Sequence, residues 1–522
     1  MVHLLLNEHK ANNWMSSGSV TFRGWFFDKD KLCNSSDLSW ASEDYLNSDF
    51  IKMFPKWNGN YAIIKRNTEF TLIAVDRICS YPLYYTKQGE NFYVSDSVSV
   101  LRDRLHLTTI DSNAKKEFLG AGFVIGQKTL FSGIYQLLAG QYISIRNETG
   151  EYKITDYFLH LHKKEFDFDV YQMCQLLDAA VINSVNRMIE SINGRPIVLF
   201  LSGGYDSKLI ATTLKRLKYD NVLCVSLGSM ETRDVSVGKR IAESIGYPWI
   251  QIDVSKRMWR EYRSDGTLKS RIADSAASSN LAYIQGLTLQ ELQRAGKLPP
   301  NCVAVTGNSG DAIEGADVTH LFLPGQSYSP DDIVNAIRNR HLILSGYKYS
   351  RNPSLYKDIY SYLALACGNK KCYTDIEAEE VYEFFNWRER QAKYVITDAR
   401  NYDDFLGIDW RLPLWDNEFV DFWLRVPYHL RYDRKLYYQY VQAETLPSAN
   451  DITLFRKAID WSKQNIRPMV TLLYPIKNMC DYLLSSDYYF ALYGIADFSE
   501  FLKVWRLTKG YRGAPHTALL YY

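Results

Sequence analysis

Pro196-Ile-Val-Leu-Phe-Leu201, running straight into Ser202-Gly203-Gly204-Tyr205-Asp206-Ser207, is the stretch on which the fold turns. An apolar run of strand length enters a loop with two adjacent glycines and two hydroxyls. Beyond it, Lys208 to Leu217 carries apolar side chains at helical spacing: Leu209, Ile210, Leu214 and Leu217. A strand, a tight glycine turn and a helix start together form an anion site, because the glycines admit close backbone approach and free N–H groups point outward. Asp206 would repel a bare phosphate, so its presence calls for a divalent cation between the two. The combination predicts a nucleotide pyrophosphate held with Mg²⁺. The spacing is neither Gly-x-x-x-x-Gly-Lys-Ser/Thr nor Gly-x-Gly-x-x-Gly, and taken alone it also describes an ordinary tight strand-to-helix turn.

Strands and helices alternate downstream. Val222 to Leu227 reads as a second buried strand, Asp234 to Ile245 as a helix stopped by Gly246, Trp249 to Ile252 as a third strand and Val303 to Thr306 as a fourth. Such alternation builds a doubly wound parallel sheet whose ligands sit beyond the carboxyl ends of the strands. Upstream, short runs such as Tyr61–Ile64, Phe70–Val75, Asn91–Ser95 and Gln141–Ile145 are divided by Asn58-Gly59, Gln88-Gly89 and Thr149-Gly150, which predicts antiparallel sheets packed face to face. A polar stretch, Lys163 to Asp169, leads into a helix from Val170 to about Ile192. From about residue 330 the chain reads as mostly helical. The expected organisation is an α+β unit over 1–160 followed by an α/β unit with helical additions over 170–522.

The fourth strand ends in Thr306-Gly307-Asn308-Ser309-Gly310-Asp311-Ala312-Ile313-Glu314-Gly315, a second glycine-rich turn at the same sheet edge. One acid there reads as a helix cap. Two acids from separate strand ends, Asp206 and Asp311, read better as ligands of a shared Mg²⁺, which takes one or two carboxylates and completes its shell with phosphate and water.

Bulk properties agree with a globular protein. The 522 residues carry a formal net charge of +2, with 46% hydrophobic and 23% charged residues, so nothing calls for nucleic acid or an acidic membrane. The high aromatic content, 39 Tyr and 12 Trp, reads as core and interface surface. The eight cysteines have no paired spacing, with Cys224 and Cys302 in apolar runs, and His160-Leu-His162 alternates as in a strand. Neither a disulfide framework nor a zinc site is indicated. Met1 to His9 has too short an apolar core for a signal peptide, and no stretch approaches a spanning helix, so the expected location is cytoplasmic with no membrane span.

The first loop resembles the pyrophosphate loop of the ATP pyrophosphatases. Together with Gly307–Gly315 and Asp409-Trp-Arg-Leu-Pro-Leu-Trp-Asp416 it resembles the synthetase domain of the asparagine synthetases. Asn58–Ala62, Asp76–Tyr85 and Thr129–Tyr135 fall where landmarks of that family's N-terminal glutamine-amidotransferase domain fall. The resemblance implies an Ntn-like antiparallel β-sandwich, then an adenine nucleotide α-hydrolase-like sheet. It implies ATP and Mg²⁺ as cofactors, with Ser202, Gly203, Gly204, Asp206, Ser207 and Gly307 on the phosphates, and Leu201, Ser226 and Leu227 at adenine, although these last three also read as sheet core. Phe455-Arg456-Lys457, downstream of Leu446-Pro447, resembles the segment bearing the catalytic lysine. Lys457 is the candidate and Arg456 the alternative, against a plain reading as solvated residues flanking a helix. Lys435, in a charged run with Arg431 and Arg434, reads as surface.

Two departures redirect the expectation. Glutamine-using members begin, after loss of the initiator Met, with a nucleophilic cysteine; here that position is Val2, and the nearest cysteine is Cys33. Valine offers no nucleophile, so glutamine is not the expected nitrogen source. Asn308 stands where asparagine-forming members carry glutamate, so aspartate is not carried over as substrate. The resemblance implies an AMP-forming amide ligase that adenylates a small-molecule or glycan carboxylate, such as a uronic acid of a bacterial surface polysaccharide, and transfers it to an amine. The alternative is an intramolecular cyclase of the β-lactam synthetase or lasso-peptide cyclase type. A scaffold that only binds nucleotide is a third reading, opposed by the retention of both acids.

Overall fold

A computed structural model describes residues 1–444 except 10, 42–49, 229, 231, 271–284, 317–320 and 343–352, together with 499, 502 and 503. Eleven strands occupy the first part of the chain: β1 (Val2–Leu5), β2 (Met15–Ser17), β3 (Val20–Asp28), β4 (Lys31–Asn34), β5 (Asn58–Arg66), β6 (Phe70–Val75), β7 (Tyr84–Gln88), β8 (Asn91–Ser95), β9 (Tyr135–Gln136), β10 (Gln141–Arg146) and β11 (Tyr152–Asp156). They form one sheet in the order β1-β8-β7-β9 and a second in the order β11-β10-β6-β5-β3-β2, with β4 paired to β3. Helices α1 (Val98–Leu105) and α2 (Ser112–Ala121) follow β8.

The expectation of antiparallel sheets holds with one exception: β1 runs parallel to β8, with Val2 opposite Phe92. Between β3 and β5 the antiparallel register sets Gly24 opposite Tyr61. Gly24 has φ +104°, and a Cβ there would run into the Asn60 carbonyl and lie 2.7 Å from the Tyr81 ring, so a side chain is excluded. One aromatic cluster lies on a face of this sheet, where Phe22, Phe26, Trp40, Phe54, Trp57 and Tyr61 meet and Phe26 stacks on Trp57 at 4.0 Å. His160 and His162 lie in irregular backbone beyond β11, which corrects the strand reading. Asp156 and Asp169 bracket this connection, and Asp169 and Gln172 cap the next helix, α3 (Val170–Ile192), reciprocally.

The second part carries a five-stranded sheet, order β14-β13-β12-β15-β18, with every neighbouring pair parallel. Its strands are β12 (Ile197–Phe200), β13 (Val222–Leu227), β14 (Trp249–Ile252), β15 (Val303–Val305) and β18 (Asp409–Arg411); β16 (Ser327–Tyr328) and β17 (Tyr373–Thr374) form a small separate ladder. Helix α4 (Tyr205–Arg216) follows β12 and α5 (Arg233–Ile245) follows β13, ended by Gly246 at φ +78°. The chain steps outward from β12 to β14, then returns to the other side of β12 with β15 and β18. The order therefore reverses between β12 and β15, and ligands bind in the crevice at such a reversal.

The fifth strand was not anticipated. Only Trp410 in it is apolar, and its charges enter the interior because they are paired: Asp409 accepts hydrogen bonds from Arg195 at 2.5 Å, Asn12 at 2.8 Å and Arg411 at 2.7 Å. Arg411 and Arg195 hold the Asp409 carboxyl well below the usual carboxylate range, outweighing burial.

A π-helical stretch, Asn386–Val395, joins the two parts of the molecule. Trp387 donates to the Arg77 carbonyl at 2.9 Å, Arg388 to Asp156 at 2.7 Å, and Lys393 to the Val124 and Gly126 carbonyls at 2.7 and 2.5 Å. Among the described residues no helix is long and apolar enough to cross a membrane, and the cysteines are free.

Candidate active site

The carboxyl end of β12 opens into the loop 201–204. Leu201 is buried with its N–H on the Val225 carbonyl, and its own carbonyl accepts the Ser226 hydroxyl at 2.6 Å. Ser226 also accepts the indole N–H of Trp249 at 2.9 Å, so its polar capacity ties three strand ends together. Leu227, half-buried, closes β13 beside them. The loop fixes its own shape. The Ser207 hydroxyl accepts the Ser202 N–H at 3.2 Å, and the Ser202 hydroxyl accepts the Gly204 N–H at 3.1 Å. Gly203 faces α5, where a Cβ would meet Asp234 Oδ1 at 3.0 Å and Val237 at 3.3 Å. Gly204 is the N-cap of α4, and no side chain caps that helix, so its first turn presents backbone N–H groups to the crevice.

The second loop, from Thr306, packs directly on the first. A Cβ on Gly307 would lie 3.0 Å from the Ser207 nitrogen, and one on Gly310 would lie 2.6 Å from Leu414 and 2.8 Å from Cγ of Asp206. Ser309 adopts φ +69°, a left-handed conformation costly to a side chain, and its hydroxyl is anchored on Gln391 at 2.7 Å. Asp311 is exposed and caps the Ala312 N–H at 2.9 Å. Its backbone amide donates to the Asp206 carboxylate. The two acids expected to share a cation thus stand on adjoining loops.

Asp206 has further partners that sequence reasoning missed. Tyr437 donates to its Oδ1 at 2.8 Å and Arg434 at 3.3 Å. Arg434 also donates through Nε to Glu314 at 2.9 Å, and Nη2 meets the same oxygen. Burial pushes the Asp206 carboxyl up; Arg434 opposes this and the charge of Asp311 adds to it. Glu314 has no exposed surface and is pushed up strongly by burial and by Asp206, with Arg434 opposing. Lys435 is exposed, as expected, but the two arginines of the same run are not. Arg431 and Arg434 are buried, Arg431 on Glu383 at 2.8 Å and Glu379 at 3.2 Å. No local signal in the sequence marks Glu314, Arg434 or Tyr437: Glu314 stands at the end of the short helix Gly310–Ile313, and Arg434 lies in a left-handed turn before the helix that carries Tyr437. Arg456 and Lys457 lie outside the described residues.

The donor set suits Mg²⁺ brought in with a nucleotide. Two carboxylates are what that ion takes from a protein when phosphate supplies the rest. Among the described residues no group of three or more His, Cys, Asp or Glu could cage a metal alone. In the N-terminal part, Val2 is buried and its carbonyl accepts Arg66 at 2.7 Å. Burial pushes the Cys33 thiol up to about 11, far from a thiolate at neutral pH. Asp76, a landmark in the sequence, holds a turn by accepting the N–H groups of Tyr61 and Ile78, each at 2.8 Å.

Comparison with known proteins agrees with this layout. A family described as a glutamine amidotransferase domain matches residues 48–158, and one described as asparagine synthase matches residues 176–447, more than half the chain. The Escherichia coli Microcin J25-processing protein McjC is 27% identical over 135 residues, 26% of this chain and 24% of that protein. The NH(3)-dependent NAD(+) synthetase of Methanococcus aeolicus is 30% identical over 111 residues, 21% of this chain and 43% of the synthetase. The chain thus spans about a quarter of the first relative's length and under half of the second's. A Bacillus subtilis glutamine phosphoribosylpyrophosphate amidotransferase structure aligns at 10% identity over 56% of this chain and 63% of that one, with a TM-score of 0.18. With its second part matched from α3 through β18 and both glycine-rich loops inside the match, the chain belongs to the asparagine synthase family.

Proposed function

We propose that this protein is an ATP-dependent, AMP-forming amide ligase without glutaminase activity, with the ligase in residues 170–522 and an Ntn-like region in 1–160. The observation that supports it most is the packing of Gly307 and Gly310 onto Asp206, which makes one crevice of two loops at the reversal of strand order. A substrate carboxylate oxygen bonds to the α-phosphorus of ATP as the bond to pyrophosphate breaks. An amine then bonds to the acyl carbon, AMP leaves with the bonding electrons, and the nitrogen loses a proton. The uncapped first turn of α4 binds and orients the phosphates, while the Ser202 and Gly204 N–H groups hold the loop in shape. Asp206 and Asp311 would hold Mg²⁺, which neutralises pyrophosphate charge when bound. Lys457, or Arg456 in its place, supplies a cation at the reacting centre. Leu201, Ser226 and Leu227 line the adenine side.

Val2, and a Cys33 thiol held protonated, support an amine other than glutamine-derived ammonia. A uronic acid is the proposed carboxylate, and the cytoplasm, where ATP is available, the proposed location. The test is mass spectrometry of products after incubation with ATP, Mg²⁺ and a panel of carboxylates and amines. AMP, pyrophosphate and an amide are expected, with loss of at least 100-fold in Asp206→Asn; ADP formation would reject the reading. The likeness to a microcin-processing protein favours a second reading, an intramolecular cyclase acting on a peptide. That reading expects product with no external amine present.

A further inference from the structure

The Asp206 carboxylate does not stand alone in the crevice. One of its oxygens, Oδ1, is taken by Tyr437 at 2.8 Å and Arg434 at 3.3 Å, and the other lies toward Gly310 in the second loop. Arg434 is itself gripped from behind by Glu314, through Nε at 2.9 Å and through Nη2. Glu314 is wholly buried, and its second oxygen, Oε1, has no hydrogen-bond partner. A buried acid left half-satisfied costs free energy unless something is gained from it.

The backbone tells the same story. Asp433 and Arg434 both sit in the left-handed region, at φ 57° and 54°. For residues with a Cβ this conformation is costly, and such strain gathers where side-chain placement matters. The turn aims the Arg434 guanidinium inward, over the rings of Tyr437 at 4.7 Å and Tyr438 at 5.3 Å, while the next residue, Lys435, points to solvent.

We infer that Glu314, Arg434 and Tyr437 are positioning residues that lock one oxygen of Asp206 and so present the other, beside Asp311, to the cation of the incoming nucleotide. The inference rests on the reading of Asp206 as a metal ligand. It assigns a role to Glu314 that its spacing alone does not show: the buried acid exists to hold a guanidinium, not to meet substrate. Arg434 is shared between Glu314 and Asp206, so its effect on a nearby cation is to align the ligand that receives it.

That sharing shapes the experiment. Arg434→Met alone would strand a buried acid and risks misfolding. The double variant Arg434→Met/Glu314→Met removes the guanidinium and the buried acid together, so neither is left without its partner. The probe is Mn²⁺, titrated by electron paramagnetic resonance in the presence of a non-hydrolysable α,β-methylene ATP analogue; analogue binding in EDTA and thermal unfolding are measured alongside. The double variant is expected to keep metal-free analogue binding and its melting transition, yet weaken Mn²⁺ binding about 10–100-fold, the usual cost of losing an outer partner of a ligand. Arg434→Lys should recover part of this, because an ammonium supplies charge without the planar fork that spans two carboxylates. Tyr437→Phe should give a smaller loss. The inference is overturned if the double variant binds Mn²⁺ within twofold of the wild type while Asp206→Ala does not bind it. If Asp206→Ala also binds Mn²⁺ normally, the metal-ligand reading fails, and the inference fails with it.

Discussion

At the scale of single residues, the site depends on where atoms are absent as much as on where they are present. Gly310 is the sharpest case, since a methyl there would press on both Leu414 and Asp206. Gly310→Ala is expected to destabilise the protein by about 1–3 kcal/mol through overpacking. It should reduce adenylation far more than a neutral surface change does, because Asp206 is the atom group displaced; a urea midpoint and pyrophosphate release check the two effects separately. The turns at Ser202–Ser207 and around Asp311 were legible in the sequence because each is local, set by glycines next to a strand and a helix start. Glu314, Arg434 and Tyr437 were not. Arginines in a charged run are solvated far more often than buried, and what buries Arg431 and Arg434 here, beside the exposed Lys435, is acids supplied from more than 45 residues away, Glu383 and Glu314.

At the scale of elements, helices with clear punctuation were read to within a few residues. Asp169 caps α3 and Gly246 ends α5, and both signals are chemical and local. β18 was missed because its strand character comes from its neighbours, not from its own apolar content. The stretch Asn386–Val395 shows the same rule for a helix: it reads as polar, yet Lys393 is buried against Glu389 at 2.7 Å and two carbonyls of the N-terminal part. Lys393→Met is expected to destabilise by about 3–5 kcal/mol, since it leaves Glu389 uncompensated. Lys393→Met/Glu389→Gln should recover much of that loss. Chemical denaturation of the two variants decides it; equal destabilisation in both would mean that the pair matters only as packing.

At the scale of the whole molecule, the two parts are joined by charged contacts that leave little room for independence. Arg23 reaches Asp403 at 3.1 Å, Arg77 reaches Asp421 at 3.1 Å, and Asn58 reaches Asp416 at 2.9 Å. Removing residues 1–160 would leave these partners and the π-helical stretch uncovered, and the remaining chain is expected to be recovered as aggregate; a soluble, monodisperse product by size-exclusion chromatography would contradict this. Acid stability follows from two paired carboxyls, Glu383 in the interior and Asp404, whose side chain is 38% exposed. Desolvation raises both, but Arg431 with His162 at Glu383, and the His9 hydrogen bond with Arg23 at Asp404, outweigh it and hold each near 2. Because the folded values lie below the unfolded values of about 4, the ionised groups stabilise the fold above that pH, and the contribution drains away as pH falls toward 2. Urea midpoints should drop across that window, and Glu383→Gln should flatten the drop.

The reversal of strand order has a kinetic side. Leu199 pairs with Val305, and Val305 with Arg411, so each step across the middle of the sheet joins residues about a hundred positions apart. Contacts of such long range form late, after the chain has closed large loops. The loop Ser202–Ser207 is complete as a local turn long before Asp311 can reach it. In a refolding chain, backbone circular dichroism should recover first and nucleotide-dependent Mn²⁺ binding last, so that occupancy of the crevice serves as a clock for the final assembly of the molecule.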